Sequence, residues 1–346
     1  MDTLLLYGCY GYTGRLLADE ARARGLRPIL AGRRRDDVEA MGRALDLTTR
    51  VFSLDSPAEV DQGLDGVNVA LHAAGPFSRT SKPMADGCLR KRVHYLDVTG
   101  EIVVFEALAA RDAEAKAAGV TLMPGVGFDV VPSDCLAAYV ASKVPGATEL
   151  TIALGVSGSL SHGTATTMVE NIGEGGAVRR DGRITRVPSA HSTRDFDFGD
   201  GTRRCVTIPW GDISTAWHST HVPNIEVYVS APRAARAFMR LSGPLGALLA
   251  AGPVQKLIKS RIGQGGPTAE QRARGKSRLY AEAKGPGGMF AARLVGPEGY
   301  DMTAQAGIRA AEVVLGGKVP VGYQTPSSGL GMDFVLGLPG VTRTDA

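Results

Sequence analysis

Three glycines spaced three apart, Gly8, Gly11 and Gly14, interrupt the apolar stretch LLLYGCYGYTGRLL. No other feature restricts the fold as much. Thr3 to Tyr7 is short, branched and apolar, as a strand buried on both faces must be. From Tyr12 to Arg24, Leu16, Leu17 and Ala21 share one side of a helix, and Arg15, Glu20 and Arg22 lie elsewhere on it. A glycine turn between such a strand and such a helix leaves the first helical N–H groups without internal partners. Together with the helix dipole, those groups attract an anion, usually a phosphate.

The alternation continues. RPILAGR reads as a second strand ending at Arg33, followed by a helix over DDVEAMGRAL capped by Asp36 or Asp37. TRVFSLD is a third strand ending at Asp55. NVALHAAGPF is a fourth, turning at Gly75 and Pro76 before a helix near Pro83 to Lys91. VHYLDVTGE is a fifth, with a helix over Val103 to Ala118 behind it. GVTLMPGVGFDVVPSD is a sixth, leading to a helix from about Ser133. Strands alternating with helices predict an α/β chain with a Rossmann-type doubly wound parallel sheet, here over residues 1–145. From Glu149 the segments are more strand-rich. Residues 146–346 are expected to form a second, mixed α/β (α+β) domain that shapes a substrate pocket, and the C-terminal segment is free to pack back on the first domain.

Composition narrows the function. The chain has 346 residues, 44% hydrophobic, with a formal charge of +4. That balance does not suggest nucleic-acid binding, and Arg33, Arg34 and Arg35 form too short a basic cluster for it. Cys9, Cys88, Cys135 and Cys205 are far apart and read as core thiols in a reducing compartment. With Met1 and Asp2 running straight into a strand, a cytoplasmic location is expected. LSGPLGALLAAGPVQKLI is broken by Pro244 and Pro253, so no membrane span is predicted. Buried helices are the simpler reading of residues 241–262. A helix lying on a lipid surface stays open because basic residues flank it. His218 and His221 lack a third ligand at metal spacing, so no metal site is predicted. Homo-oligomerisation also stays open.

Which phosphate is bound depends on the end of the second strand. A carboxylate there would accept from a ribose 2′-hydroxyl, as in NAD enzymes. This strand ends in Arg33 and Arg34, which suit a 2′-phosphate. NADP(H) is therefore favoured over NAD(H). Gly8 permits the tight turn, while Gly11 with Tyr12 and Thr13 lets the backbone approach the phosphates. Gly14 lets helix and strand pack closely.

Taken together, GCYGYTGRL, LAGR, AAGPF, YLDVTGE, GVGFDVVPSD and GYQTPSSGLG resemble the saccharopine dehydrogenase-like oxidoreductase family, including the trans-acting enoyl reductases. The family pattern has alanine and threonine where this chain has Cys9 and Tyr10, which places a bulky ring near the expected pyrophosphate. The resemblance implies an NADP-binding Rossmann domain followed by a substrate domain.

Hydride transfer needs the nicotinamide held close to its acceptor carbon. Ala74, Gly75, Pro76 and Phe77, with Thr99 and Gly100, are expected to line that part of the site, and Glu101 is placed either at the carboxamide or in the turn. No Tyr-x-x-x-Lys pair follows the fifth strand. Asp129, closing the sixth strand, and His162, opening SHGTATTM, are the candidate catalytic residues, and Ser133 is expected to face the same cleft. The arginines of the second domain (Arg179, Arg180, Arg183, Arg186, Arg203 and Arg204) sit in polar stretches that read as solvated. Met168, Val169 and the Phe238–Leu257 region offer an apolar lining. This combination favours NADPH-dependent reduction of a C=C or C=O bond in an apolar, lipid-like small molecule. Saccharopine-type C–N oxidoreduction and NADP(H) binding without turnover remain alternatives.

Overall fold

The computed structural model describes residues 3–156, 175–242, 254 and 265–346. His162, Met168, Val169 and nearly all of the 241–262 stretch lie outside the described residues. The chain divides into two units, Met1–Val131 with Tyr300–Leu338, and Pro132–Gly299 with Pro339–Ala346.

In the first unit, β1 (Leu4–Tyr7) is buried at every position because a parallel strand flanks it on each side. The sheet also contains β2 (Ile29–Gly32), β3 (Thr49–Val51), β4 (Val69–His72), β5 (His94–Asp97), β6 (Thr121–Met123) and β15 (Gly322–Tyr323). The strand order is β15-β6-β5-β4-β1-β2-β3, and all pairs are parallel. Without β15 this is the Rossmann order, in which the winding reverses between β1 and β4 and leaves a crevice at the carboxyl ends of those strands.

Helix α1 (Tyr12–Ala23) buries Gly14, Leu17, Ala18 and Ala21, a stripe at helical spacing. Burying Leu17 alone contributes about 2 kcal/mol. The other connections are α2 (Arg35–Leu45), α3 (Pro57–Gly63), α4 (Phe77–Lys91), α5 (Ile102–Ala109) and α6 (Asp112–Ala118). Helix α4 starts at Phe77, six residues before the expected Pro83, and carries Pro83 inside it. The single helix expected over Val103 to Ala118 is two helices. Strand β3 stops at Val51, short of Asp55, whose carboxylate accepts from Ser53 Oγ at 2.7 Å in the following turn.

Helix α7 (Val131–Ser142) contains the unit boundary. The division therefore falls ahead of residue 145, for a local reason. Asp134 bonds to Ser219 and the Tyr139 hydroxyl donates to Asp345 at 2.9 Å, both partners lying in the second unit. Ser133, expected to face the cleft, is fully buried. The stretch Tyr300–Leu338 belongs to the first unit because α11 (Gly299–Leu315) packs there. A Cβ on Gly307 would stand 2.9 Å from Leu17 Cδ2, and Glu312 pairs with Arg24 at 2.6 Å.

The second unit is built on β7 (Glu149–Val156), between β12 (Asn224–Ser230, parallel) and β13 (Lys276–Gly285, antiparallel). The sheet continues through β11 (Thr202–Thr207) to β10 (Thr193–Asp197) on one side. On the other it runs through β14 (Gly288–Pro297) to β16 (Thr342–Asp345). Strands β8 (Gly176–Arg180) and β9 (Arg183–Val187) form a hairpin attached to β12. The arginines read as solvated therefore lie on strands. Arg179 is 3% exposed and donates to the carbonyls of Ile213 and Gly182. Helices α8 (Asp212–Thr220), α9 (Arg233–Ser242) and α10 (Ala269–Arg274) complete the described part of this unit, and α12 (Pro326–Leu330) belongs to the first. Among the described residues no helix is long and apolar enough to cross a membrane.

Candidate functional site

At the crevice between β1 and β4, the glycines are required by close contacts. Gly8 has φ +86°, and a Cβ on it would stand 2.8 Å from Ala74 Cβ. A Cβ on Gly14 would stand 2.2 Å from the Gly8 carbonyl oxygen, so α1 can meet β1 only with glycine there. Gly11 is different: its Cβ would meet only the Gly8 carbonyl, at 3.3 Å. Gly11 is the N-cap of α1, where no side chain caps the helix and the first turn holds no acidic residue. Tyr12 packs edge-on against Tyr300, ring centroids 5.1 Å apart, and Thr13 is half-buried beside it.

The neighbouring helix starts are already served by carboxylates. The Glu101 carboxylate accepts from the Phe77 and Ser78 backbone N–H groups, at 2.8 and 2.9 Å, and so closes the start of α4. This assigns Glu101 to the turn. Asp36 and Asp37 lie in the first turn of α2, whose N-cap position is Arg34, so neither is the cap. Of these three starts, α1 is the one that presents N–H groups without an anion in its first turn.

Arg33 and Arg34 differ in their surroundings. Both are exposed, but Arg34 is tied to Asp37 at 2.7 Å and lies over the Tyr10 ring at 4.3 Å. Arg33 has no ion pair among the described residues. The Tyr10 ring covers Gly32, where a Cβ would stand 2.5 Å from Tyr10 Cε1.

Ala74, Gly75, Pro76 and Phe77 form the turn from β4 into α4, with the Gly75–Pro76 peptide cis and Gly75 exposed. Thr80 Oγ1 donates to the Ala74 carbonyl at 2.7 Å, and His72 Nε2 lies 3.0 Å from the same hydroxyl. Burial pushes the His72 imidazole down to about 3, so it is neutral. His72 was missed in the sequence because a lone histidine in an apolar strand carries no spacing signal.

Thr99 is fully buried and turned inward, its N–H bonded to Asp97 and its hydroxyl accepting from the Glu101 N–H. What this turn presents is therefore its half-buried Gly100. Asp97 is fully buried and also accepts from the Gly125 N–H at 2.9 Å and the Tyr95 hydroxyl at 2.6 Å. It thus joins the ends of β5 and β6. Burial pushes its carboxyl up to about 6, against hydrogen bonds that pull the other way.

Asp129 lies in the turn after β6. A Cβ on Gly100 would stand 3.0 Å from Asp129 Oδ2, so the carboxyl rests directly on that glycine. Burial raises its pKa to about 6 as well. The Phe128 N–H donates to Thr303 Oγ1 at 3.0 Å, which fixes this turn against α11. The structure thus gathers the glycine turn, the Ala74–Phe77 turn, Gly100 and Asp129 at one edge of the first unit, the carboxyl edge of its sheet. An anion at the start of α1 and a flat group against Gly75 and Gly100 could both be held there.

Residues 4–123 match the family described as saccharopine dehydrogenase NADP binding domain. The matched residues lie within the first unit. A trans-acting enoyl reductase of Mycobacterium leprae is 31% identical over 142 residues, covering 38% of this chain and 33% of the relative. A saccharopine dehydrogenase-like oxidoreductase of Mus musculus is 24% identical over 203 residues, 51% of this chain and 47% of the relative. The matches therefore span less than half the length of each of these two relatives. An apo saccharopine dehydrogenase (L-Glu forming) from Saccharomyces cerevisiae superposes with a TM-score of 0.67, covering 100% of both chains at 11% identity. That likeness extends the shared fold beyond the NADP-binding domain to the mixed-sheet unit.

In the second unit, an open cavity of about 360 Å³ lies on one face of the mixed sheet, where Thr151, Arg180, Arg194, Glu226, Tyr228 and Lys284 line it. Glu226 of this lining, and Glu282 beside the lining residues Arg194 and Lys284, are both paired. Glu226 bonds to Arg180 and Tyr228, and Glu282 bonds to Arg194, Lys284 and Tyr280. Burial alone would raise both carboxyls, but these partners hold them below the usual range. His218 falls in the last turn of α8 and His221 at its C-cap, packed edge-on against Trp217. Among the described residues no three His, Cys, Asp or Glu side chains gather as a metal site.

Proposed function

We propose that the protein is an NADPH-dependent reductase of a C=C or C=O bond in an apolar, lipid-like metabolite. One observation carries the reading: α1 opens without a capping side chain after the Gly8–Gly11 turn, while Arg33, which has no ion pair among the described residues, follows β2, the strand next to β1. A dinucleotide's pyrophosphate suits the first and its 2′-phosphate the second. The backbone around Gly8, Gly11, Thr13 and Gly14 receives the phosphates. Ala74, Gly75, Pro76 and Phe77, with Gly100, form the surface for the nicotinamide. The bound cofactor supplies a hydride.

Asp129 then has a defined task. A carboxyl with a pKa near 6 is poised to donate a proton as negative charge develops on the acceptor. Asp97 keeps the Thr99–Gly100 turn and Gly125 in register, so Gly100 and the Asp129 turn hold their spacing. Neutral His72 supports Thr80, which fixes the Ala74 carbonyl. His162 remains a candidate outside the described residues. Support for the substrate class comes from the named enoyl reductase relative and from the apolar composition of the Phe238–Leu257 region.

C–N oxidoreduction of an amino-acid substrate is favoured by one observation, the three cations lining the cavity of the second unit. All three already pair with Glu226 or Glu282, which weakens them as receptors for a substrate carboxylate. The test is to titrate NADPH and NADH by fluorescence and then follow NADPH oxidation across enoyl, carbonyl and imine acceptors. Oxidation with an enoyl or carbonyl acceptor supports the reading. Oxidation with an imine alone shifts it to C–N chemistry, and binding without oxidation of any acceptor leaves a cofactor-binding protein.

A further inference from the structure

Arg33 and Arg34 stand side by side in sequence, yet the structure gives them different surroundings. Behind Arg34 is a built support. Tyr10 fills the space left by the missing side chain of Gly32, with Cε1 2.5 Å and Cδ1 3.3 Å from where a Cβ would be. The Tyr10 backbone carbonyl accepts from Arg15 Nε at 3.0 Å, which ties the residue to α1. The Arg34 guanidinium carbon lies 4.3 Å from the centre of the Tyr10 ring, and its Nε is 2.7 Å from Asp37. A stacking contact and an ion pair together fix the plane of this guanidinium, while its side chain stays 62% exposed.

Resting on the cofactor reading above, we infer that Arg34 is a platform for the adenine ring and that the 2′-phosphate belongs to Arg33. The carboxylate of Asp37 decides against Arg34 as the phosphate receptor. A second anion at that guanidinium would meet a negative charge already in place. A neutral aromatic base meets no such cost. It stacks on the free guanidinium face and completes a Tyr10–Arg34–adenine column at the end of β2, where the adenosine end of a dinucleotide lies in this strand order. A small side chain at residue 10 could not back the guanidinium in this way.

The experiment is calorimetric titration of NADPH and NADH into the wild type, Arg34→Ala, Arg34→Lys and Arg33→Ala, with thermal melting to confirm that each variant is folded. Expected is a loss of roughly threefold to thirtyfold for both cofactors in Arg34→Ala. Arg34→Lys should not restore it, because lysine keeps the charge and loses the plane. Arg33→Ala should lose NADPH selectively. A loss confined to NADPH in Arg34→Ala and reversed by lysine would make Arg34 a phosphate ligand and overturn the inference, as would unchanged binding of both cofactors. Failure of the wild type to bind either cofactor is a separate result that removes the cofactor reading itself.

Discussion

The Asp129 carboxyl rests on Gly100, with Oδ2 3.0 Å from the place a Cβ would take. Any side chain at residue 100 therefore displaces the proposed proton donor. Gly100→Ala should lower turnover at least tenfold, a larger loss than in NADPH affinity, since the methyl displaces the proton donor as well as meeting the nicotinamide surface. Steady-state kinetics beside direct cofactor titration checks this. Equal losses in both would place the contact in cofactor binding.

Asp129 also gives a pH signature. If its protonated form is the active one, kcat/KM is highest below about pH 6 and falls tenfold per unit above it. Asp129→Asn should remove that limb and cost roughly 10²–10⁴-fold in rate with cofactor binding preserved. A rate that rises with pH through 6 would assign the role to a base.

Asp97 should register in stability. Its pKa is raised from 3.8 to about 6 on folding, so the folded state binds the proton more tightly. Its contribution is thus most favourable below about pH 4 and declines as pH rises through 6. Asp97→Asn keeps an acceptor for Thr99 and Gly125 without a charge. Relative to wild type, the variant should gain roughly 2–3 kcal/mol between pH 4 and 7. Urea unfolding at several pH values measures this, and parallel curves would refute it.

Gly14→Ala tests the strand–helix contact. Its methyl would lie 2.2 Å from a backbone oxygen that cannot move without shifting β1. A loss of about 2–3 kcal/mol is expected in chemical denaturation. Gly25→Ala is a control, because a Cβ there meets nothing within 4 Å and only the backbone angle, φ +78°, is strained.

Glu101→Ala removes the cap of α4 from a distant loop. The change should cost about 1–2 kcal/mol and expose the Phe77 and Ser78 N–H groups. Glu101→Gln, which keeps one acceptor, should cost less. Thermal melting distinguishes the two.

Much of the first unit was legible in the sequence because its signals are local. The run Leu4–Tyr7, the glycine spacing and the helical face holding Leu17 and Ala21 each act within one or two turns of chain, although Ala18 rather than the expected Leu16 completes the buried stripe. The strand and helix order follows from them. Arg33 and Arg34 at the end of β2 were legible for the same reason. What neighbours in space decide was not. Helix α4 begins early because Glu101, 24 residues on, caps it. The Tyr10 ring sits over Gly32, Thr99 turns inward to Glu101, and Arg179 is buried beneath two carbonyls. Sequence alone determined that a glycine turn and an uncapped helix start open a parallel sheet. Only the tertiary structure decided which of two adjacent arginines is tied to a carboxylate, and which glycine carries Asp129. Those outcomes depend on contacts between segments far apart in the chain, where burial and charge pairing outweigh local preference.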